Sequence, residues 1–367
     1  MKIERWSLHH VRVPYGRTVQ WSHHVESGAD FVLLRLQSQD GHAGVAEVTA
    51  KAPFNGVSVR SLTAALEDMF LPELARSDPG DPDAVAAVLG GIPENTAAKA
   101  LVDNACWDLR ASAGGRPLWQ LWGGRGRVPV SWTVTRQAPE KMAREAAEMV
   151  SRCGFRTLKM KGGQGVTTDV EAVRAIRRAV GHGVRIYVDA NWAYSVAETE
   201  GYASALADEG VLALEDPCAL VPDGAFSDLQ RRCPLPLLVD DPCASHDDAR
   251  LFLERGARAL STTPSRIGLS ECRLIAALAS EHGCATVVGL FAESSLGALA
   301  SLQLAACQSR SALDLPAEST FFLSLSDQLL KEPLAIADGE IALPSAASLA
   351  ELVDWERVSA LGGAPSR

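Results

Sequence analysis

The sequence lacks the features that mark secreted, membrane-spanning and zinc-binding proteins. Its eight cysteines are scattered and form no Cys-x-x-Cys pair, so we interpret them as buried thiols in a reducing cytoplasm. Residues 1–6 contain nothing of the apolar core of a signal peptide, and no apolar run is long enough to span a bilayer. We therefore expect a cytoplasmic protein without a membrane partner.

An excess of positive charge is also missing. The 367 residues include 35 Lys and Arg against 45 Asp and Glu, which gives a formal net charge of −10 at pH 7. Because such a chain is repelled by a phosphate backbone, the charge argues against nucleic acid as the main partner. Hydrophobic residues make up 47% of the sequence, which is enough to build a large core in one or two domains.

Short apolar segments alternate with amphipathic helical segments through most of the chain. The period is roughly 25 residues and repeats about eight times, which is typical of a parallel (β/α) barrel. A doubly wound open sheet is the alternative, but it usually has a Gly-rich phosphate loop after its first strand, and none is found here. The predicted strands are Val128 to Val134, Thr157 to Lys161, Val184 to Asp189, Val211 to Glu215, Leu235 to Asp240, Ala259 to Thr263, Ala285 to Leu290 and Ser311 to Leu315.

The residues before the barrel have a different pattern. Residues 1 to about 50 favour antiparallel strands, and the pattern turns helical from Val59 to about Gly123. The polar segment from Gly16 to Gly28 has no clear period, so we predict a loop there. A second loop is predicted from Lys51 to Gly56.

Two lysines lie close together on the second predicted barrel strand. Side chains alternate faces along a strand, so Lys159 and Lys161 point the same way. Two adjacent ammonium groups repel each other, and we expect this repulsion to lower the pKa of at least one of them, which would make that lysine usable as a base near neutral pH. The alternative is a solvated strand face that carries two exposed lysines.

Three carboxylates end three consecutive predicted strands. Asp189, Glu215 and Asp240 are each separated by about one βα unit, so a barrel brings them together at its C-terminal mouth, where barrel active sites lie. Clustered carboxylates repel unless a cation lies among them, and hard oxygen ligands without nearby His or Cys indicate Mg²⁺. The alternative is that the three are helix N-caps, a position where acidic residues are common.

These motifs, taken with others, resemble the enolase superfamily and, within it, the muconate-lactonizing-enzyme subgroup. The resemblance covers nearly the whole chain. It includes the Lys-x-Lys strand, the run Val188 to Asn191, the run Leu214 to Pro217, the pair Asp240-Asp241, the run Gly289 to Ser294 and a returning C-terminal tail.

The resemblance implies a fold and a set of roles. The expected fold is α/β, with a TIM-type (β/α)7β barrel in residues 126–318 and an α+β capping domain formed by residues 1–125 and the C-terminal segment 319–367. Loops around 21–24 and 51–56 of the cap would close over the substrate. We also expect a homo-oligomer. The implied roles are Lys161 as catalytic base, Lys159 as its electrostatic partner, Asp189, Glu215 and Asp240 as Mg²⁺ ligands, and Glu293 as a further residue of the catalytic site.

The sequence departs from the subgroup at two positions. The fifth strand ends in Asp240-Asp241, where the subgroup usually has Asp-Glu. Thr263 stands where the subgroup has a second lysine, in the run Thr263 to Gly268, and no lysine occurs between Lys161 and Lys331. The candidate substrate-binding residues are Asn191, Asp241, Thr263, Trp21 and His23.

The missing lysine decides between reaction types. A threonine hydroxyl is hard to ionise at pH 7, so Thr263 makes a poor second base. We therefore predict a Mg²⁺-dependent lyase or isomerase that removes the α-proton of a small carboxylate substrate with Lys161 alone, by syn elimination or cycloisomerisation. One alternative is a racemase or epimerase of amino acid derivatives with an unrecognised second base, for which Asp241, Cys243 and Cys284 are candidates. Another is a metal-retaining ligand-binding protein without turnover.

Overall fold

The computed structural model describes residues 1–308 and 313–362, and it begins with a three-stranded antiparallel sheet. The sheet has the order β1-β2-β3, and alternate side chains of β2 and β3 face helix α5 in an apolar core. A π-helical turn, Leu66–Phe70, lies between α2 and α3. The elements are β1 (Ile3–Gln20), β2 (Val25–Ser38), β3 (Ala43–Ala50), α1 (Ala52–Asn55), α2 (Val59–Ala65), α3 (Leu71–Leu74), α4 (Pro82–Gly91), α5 (Thr96–Gly114) and α6 (Leu118–Leu121).

The loop predicted from Gly16 to Gly28 is wrong for most of its length. Strands β1 and β2 continue through it as a hairpin, and only residues 21–24 connect them. The register shifts between Pro14 and Val19, after which Val19 pairs with Glu26. This irregularity breaks the alternation of side chains that marks a strand in sequence.

The predicted loop from Lys51 to Gly56 contains a short helix. Pro53 lies in the first turn of α1, where its missing N–H is not needed. The helix ends at Gly56, whose φ of 68° is left-handed. This turn places Lys51 and Phe54 next to the hairpin tip.

Seven parallel strands form the second sheet, in the order of the sequence. They are preceded by β4 (Arg127–Pro129) and comprise β5 (Trp132–Val134), β6 (Thr157–Lys161), β7 (Arg185–Asp189), β8 (Leu214–Glu215), β9 (Leu237–Val239), β10 (Ala259–Thr262) and β11 (Ala285–Val288). The helices that follow them are α7 (Pro139–Cys153), α8 (Val166–Val180), α9 (Val196–Asp208), α10 (Gly224–Arg232), α11 (His246–Glu254), α12 (Pro264–Ile267), α13 (Leu269–Glu281) and α14 (Ser295–Ala305). This strand–helix repeat confirms the predicted barrel class.

The barrel helices begin and end at recognisable residues. Helix α7 starts with Pro139 in its first turn and stops at Gly154, which has a φ of 72°. Helix α9 starts with a capping box, in which Ser195 and Glu198 exchange hydrogen bonds with each other's backbone N–H groups.

The eighth strand differs from its predicted position. The predicted segment Ser311 to Leu315 starts outside the described residues, and residues 313–315 belong to no strand. Instead, the backbone of Ala317 bonds to Pro129 and Ser131 at one edge of the sheet, and the N–H of Glu318 donates to Val288 at the other edge. Residues 317 and 318 therefore connect the two edge strands.

The first predicted barrel strand is divided into two pieces. Residues 127–129 form β4, which pairs with β13 (Glu340–Ala342), and β13 in turn pairs with β12 (Ile336–Ala337). Only β5 belongs to the barrel sheet. The bridge of Val130 with Ala317 marks the point where the chain passes from one sheet to the other.

The C-terminal segment returns to the N-terminal sheet. It contains the 3-10 turns Phe321–Ser324 and Leu349–Glu351 and helix α15 (Trp355–Leu361). Gly362 forms an antiparallel bridge with Val11, and the N–H of Leu349 donates to the buried Asp108 of α5. No helix in the described part of the chain combines the length and the apolar character that a membrane span requires.

Candidate active site

Strand β6 carries both lysines into the barrel interior. All five of its side chains are buried, with Lys159 3% exposed and Lys161 8% exposed. The alternative interpretation, a solvated strand face that carries two exposed lysines, is therefore wrong. Two buried ammonium groups require acidic partners, since burial of an unpaired charge is costly.

Lys159 is surrounded by carboxylates. Its Nζ donates to Glu215 Oε1 at 2.7 Å and to Glu318 Oε2 at 2.8 Å, and it lies 3.2 Å from Asp189 Oδ2. Burial alone would lower the pKa of Lys159, but these three negative charges outweigh it and raise that pKa well above its usual range. Repulsion from Lys161 therefore does not make Lys159 a base, contrary to the simple expectation for adjacent ammonium groups.

Lys161 has fewer acidic partners and faces the mouth of the barrel. Its Nζ lies 2.5 Å from Asp189 Oδ2 and 3.2 Å from Asn191 Oδ1. Asn191 has a left-handed φ of 46°, and its N–H donates to Asp189 Oδ1 at 2.9 Å. Burial opposes ionisation of Asp189, but the charges of Lys161 and Lys159 hold its pKa well below its usual range.

Glu215 has a carboxylate oxygen that is suited to bind a cation. Its Oε1 accepts the bond from Lys159, whereas its Oε2 is buried without a hydrogen-bond partner among the described residues. Burial, followed by the charge of Asp189, raises the pKa of Glu215 well above its usual range. The carboxylates of Asp189, Glu215 and Glu318 thus lie beside two ammonium groups, those of Lys159 and Lys161. The excess negative charge disfavours the ionised form of Glu215.

Asp240 and Asp241 lie at the end of β9, above Glu215. Arg266 donates to Asp240 Oδ1 at 3.1 Å and to Asp241 Oδ1 at 3.0 Å. The buried Asp216 accepts from the backbone N–H groups of both residues, at 3.2 and 2.9 Å. Asp216 therefore fixes the turn that presents both carboxylates to the barrel mouth.

The donor chemistry fits Mg²⁺, although the side chains do not form a preassembled cation site. Across residues 1–308 and 313–362, no three His, Cys, Asp or Glu side chains converge in a ligating arrangement. The reason is visible at Asp189, whose Oδ2 is shared by the two lysines. The residues that remain suitable are hard oxygen donors on adjacent strands, and Glu215 Oε2 has no competing partner.

A cavity of about 140 Å³ lies between the N-terminal sheet and the barrel mouth. All five predicted substrate-binding residues line it, in the company of the predicted base and one predicted metal ligand. These are Trp21, His23, Asn191, Asp241 and Thr263, with Lys161 and Asp240. Residues predicted from distant parts of the sequence are therefore brought together in one place, although their roles remain predictions.

Glu293 does not line this cavity. It is 2% exposed and accepts a hydrogen bond of 2.5 Å from the hydroxyl of Ser265, and burial raises its pKa. The wall of the cavity is formed instead by the preceding residues 290–292. The structure therefore places Glu293 behind that wall.

Neither Thr263 nor the two nearby cysteines resembles the missing second lysine. A Cβ on Gly289 would lie 2.6 Å from Thr263 Oγ1, so the hydroxyl packs closely over the glycine. Cys243 and Cys284 are buried, and burial raises the pKa of each thiol to about 12. Both thiols therefore stay protonated near neutral pH and act as packing groups.

Sequence reasoning missed Glu318 and Lys51, and it gave no role to Asp216 and Arg266, which also line the cavity. Glu318 was not predicted because the eighth strand was placed at Ser311 to Leu315. That strand does not end in an acidic residue that could contact Lys159. Lys51 also lines the cavity, and its Nζ lies 3.0 Å from Glu26 Oε2. The available signal was a single lysine in a predicted loop of the cap, which no spacing rule connects to the barrel.

Comparison with known proteins gives matches over nearly the whole chain. Residues 141–354 match the family described as enolase C-terminal domain-like, and residues 6–123 match the mandelate racemase / muconate lactonizing enzyme N-terminal domain. Muconate cycloisomerase 1-2 of Acinetobacter lwoffii is 29% identical over 371 residues, which cover 98% of this chain and 95% of that protein. N-succinylamino acid racemase of Thermus thermophilus is 29% identical over 350 residues, covering 94% and 93% of the two chains.

The fold of a solved relative agrees with that match. The crystal structure of a muconate lactonizing enzyme from Pseudomonas fluorescens, complexed with muconolactone, superposes with a TM-score of 0.90 at 26% identity, covering 98% of this chain and 99% of the other. Family models match both parts of the chain, and relatives are similar to it over nearly its full length in sequence and in fold. These matches identify its family. The chain belongs to the enolase superfamily, and within it to the muconate-lactonizing-enzyme subgroup.

Proposed function

We propose that the protein is a Mg²⁺-dependent lyase or isomerase in which Lys161 removes the α-proton of a small carboxylate substrate. The observation that carries the proposal is the contrast between the two lysines of β6. Lys159 is tied to three carboxylates below the cavity, whereas Lys161 lines the cavity itself. Of the two lysines of β6, Lys161 is therefore the one that would meet a substrate in the cavity.

Asp189, Glu215 and Asp240 would hold the metal. When bound, Mg²⁺ supplies positive charge that binds the substrate carboxylate and stabilises the charge that develops on it. Unprotonated Lys161 takes the α-proton, and the electron pair of the broken C–H bond passes into the substrate carboxylate. Lys159 positions Asp189 and Glu215 and does not itself take a proton.

The side chain at residue 263 favours a one-base outcome. Thr263 packs against Gly289 and offers no amine on the sixth strand, so the barrel supplies one base. The proton on Lys161 then returns to the same face, or the enolate expels a β-leaving group or opens a lactone ring on that face. Syn elimination and cycloisomerisation both fit this requirement.

A racemase or epimerase is the second candidate, and one observation favours it. Lys51 brings another amine to the same cavity from the capping part of the chain. The Thermus thermophilus relative is an N-succinylamino acid racemase, a reaction that requires proton transfer on two faces. The binding protein without turnover is less favoured, since metal and carboxylate binding would not require a lysine at position 161.

The decisive experiment is α-proton exchange in D₂O with Mg²⁺ present. Amino acid derivatives, hydroxy acids and diacids are incubated with wild type, Lys161→Ala and the matched surface variant Lys141→Ala, and exchange is followed by proton NMR. We expect wild type and Lys141→Ala to exchange the same acids and Lys161→Ala to lose exchange by at least about 10³-fold. Undiminished exchange in Lys161→Ala would disprove the role of Lys161.

A further inference from the structure

Glu47 is a buried carboxylate at the contact between the cap and the barrel. Its side chain is only 2% exposed, and it lies on β3, where its neighbours Ala46 and Val48 pack in the apolar core beside α5. Because side chains alternate along a strand, Glu47 points the other way, toward the barrel. A carboxylate inside such an interface is costly unless hydrogen-bond donors surround it, so its partners are informative.

The partners of Glu47 are the first residues of helix α14. Its Oε1 accepts a 2.8 Å hydrogen bond from the backbone N–H of Ser294, and its Oε2 accepts from the hydroxyl of the same residue. Burial raises the pKa of Glu47 to about 7, although hydrogen bonds from Ser294 and from the backbone of Gly297 oppose that rise. The donors therefore belong to a single helix terminus on the other side of the interface.

These contacts complete a capping box whose two halves come from different parts of the chain. In α9 the helix itself contains both halves, Ser195 at the N-cap and Glu198 three residues later. Helix α14 has the N-cap serine, Ser294, but the residue three positions later is Gly297, which has no side chain. Glu47 supplies the missing carboxylate from 247 residues away in sequence.

Gly297 leaves the space that this carboxylate occupies. A Cβ at residue 297 would lie 2.8 Å from Glu47 Oε1 and 2.9 Å from Glu293 Cβ, closer than Cβ atoms approach other heavy atoms in proteins. Helix α14 therefore cannot carry its own glutamate at this position while Glu47 is present. The glycine of the barrel and the glutamate of the cap are complementary parts of one contact.

The start of α14 is connected directly to the cavity. Residues 290–292 form part of the cavity wall, and only Glu293 separates them from Ser294. Ala292 has a left-handed φ of 58°, which is unfavourable for any residue with a Cβ and persists only where the surroundings enforce it. The bonds from Ser294 to Glu47 fix the chain immediately after this turn.

We propose that Glu47 is a positioning residue, which holds the cavity wall at residues 290–292 by completing the N-terminal turn of α14 from the cap. The wall is then in place only while the cap lies on the barrel. The inference rests on the proposed function for its kinetic consequence alone. Lys161 and the acids that end β7, β8 and β9 lie on other strands, so loss of the Glu47 contact should weaken substrate binding more than proton removal.

The first test is amide hydrogen exchange of the whole protein without substrate, followed by mass spectrometry. Glu47→Met keeps the length of the side chain but accepts no hydrogen bond, so exchange at residues 290–297 should accelerate at least about 10-fold. The matched control is Asp103→Leu, because Asp103 of α5 accepts from the N–H and the hydroxyl of Ser270 in α13, at 2.8 and 2.6 Å. This control should accelerate exchange at the start of α13 and leave residues 290–297 as in wild type.

A conservative variant, Glu47→Gln, should rescue part of the protection. Its amide oxygen still accepts from the backbone N–H of Ser294, so exchange at residues 290–297 should accelerate only about 3- to 10-fold. This variant also decides the question if Glu47→Met does not fold. Wild-type exchange at residues 290–297 in every folded Glu47 variant would overturn the inference, as would an equal acceleration there in Asp103→Leu.

The kinetic test uses the acid that exchanges its α-proton fastest in the D₂O screen described above. Glu47→Met should raise KM for that acid at least about 10-fold and leave kcat within about threefold of wild type. A lower kcat at an unchanged KM would show that Glu47 only stabilises the fold, and would overturn the inference. Lys161→Ala should lose α-proton exchange but keep wild-type amide exchange at residues 290–297, so a failure of the proposed base is distinguishable from a failure of the role of Glu47.

Discussion

The barrel and the cap each bury a lysine, and the two lysines respond to burial in opposite ways. Lys159 in the barrel has three carboxylates within 3.2 Å, and its pKa is raised well above the usual range. Lys51 in the cap has one carboxylate at 3.0 Å, and its pKa falls to about 8. Burial is similar in both places, so the number of acidic partners decides which protonation state the protein favours.

This difference separates two roles for the same side chain. A lysine whose charged form is favoured acts as a fixed cation that holds carboxylates in position. A lysine whose charged form is disfavoured gains most when a ligand supplies the missing negative charge. Lys161 has a single close carboxylate, as Lys51 has, with a further contact to the amide oxygen of Asn191, and it lines the same cavity.

The largest effect is expected from removing acidic groups of the barrel. Glu215→Gln and Asp240→Asn preserve shape but each removes one hard oxygen ligand, and too few remain to hold a reluctantly dehydrated ion. Both variants should lose Mg²⁺ binding in calorimetry and Mg²⁺-dependent activity, with near-native circular dichroism. The neighbouring exposed-face variant Asp247→Asn should bind Mg²⁺ as wild type does. Unchanged Mg²⁺ affinity in both Glu215→Gln and Asp240→Asn would show that the metal site lies elsewhere.

The second largest effect is a loss of unfolding free energy, which we expect to differ between variants of Lys159 and Lys51. Lys159→Met leaves buried carboxylates without their shared cation and should cost about 3–5 kcal/mol of unfolding free energy in urea denaturation at pH 7. Lys51→Met should cost less than about 2 kcal/mol, because burial makes the charged form of Lys51 less favourable than it is in water. Equal losses in the two variants would mean that the contrast between barrel and cap has no energetic basis.

A smaller effect concerns stability against pH. The folded-state pKa of Lys51 is lowered, so its charged form destabilises the protein at low pH, and this penalty fades as the pH rises through about 8. The unfolding free energy of wild type should therefore gain about 1–3 kcal/mol relative to Lys51→Met between pH 7 and pH 10. Parallel curves for the two proteins would contradict the lowered pKa.

The smallest effect is stereochemical. With one base, wild type should exchange the α-proton of a single enantiomer with retention and form none of its mirror image, as followed by chiral chromatography. Thr263→Lys should introduce slow racemisation at most, because the residue packs against Gly289 and a longer side chain must displace its neighbours. Mirror-image product from wild type at the rate of proton exchange would exclude a one-base reaction, and Lys51→Met would then identify or dismiss Lys51 as the second base.

Sequence alone predicted the parts of the site that depend on strand periodicity. The boundaries of β6 agree with the prediction residue for residue. The positions of Asp189, Glu215 and Asp240 at strand ends follow from the spacing of one βα unit between consecutive strands. The partners of Lys159 lie 56 and 159 residues away in sequence, and the second of them required an accurate eighth strand. The pKa of Lys159 is raised first by Glu215, which the strand repeat indicates, and then by Glu318, which no local pattern indicates.

The cap was harder to predict for a related reason. Its hairpin continues through a polar segment that resembles a loop, because cross-strand pairing after a register shift overrides local composition. Lys51 approaches the barrel only through tertiary packing between the sheet and the barrel mouth. No spacing within the sequence reports such an approach.

The shared Glu26 carboxylate has a consequence for how the two halves of the molecule communicate. Glu26 of β2 contacts both Trp21, in the turn between β1 and β2, and Lys51, the residue after β3, so a shift of that sheet against the barrel would carry all three. A ligand that bridges Lys51 and Lys161 would tie that sheet to the barrel. Its binding should slow amide hydrogen exchange along the tip of the β1–β2 hairpin, where Trp21 and His23 line the cavity.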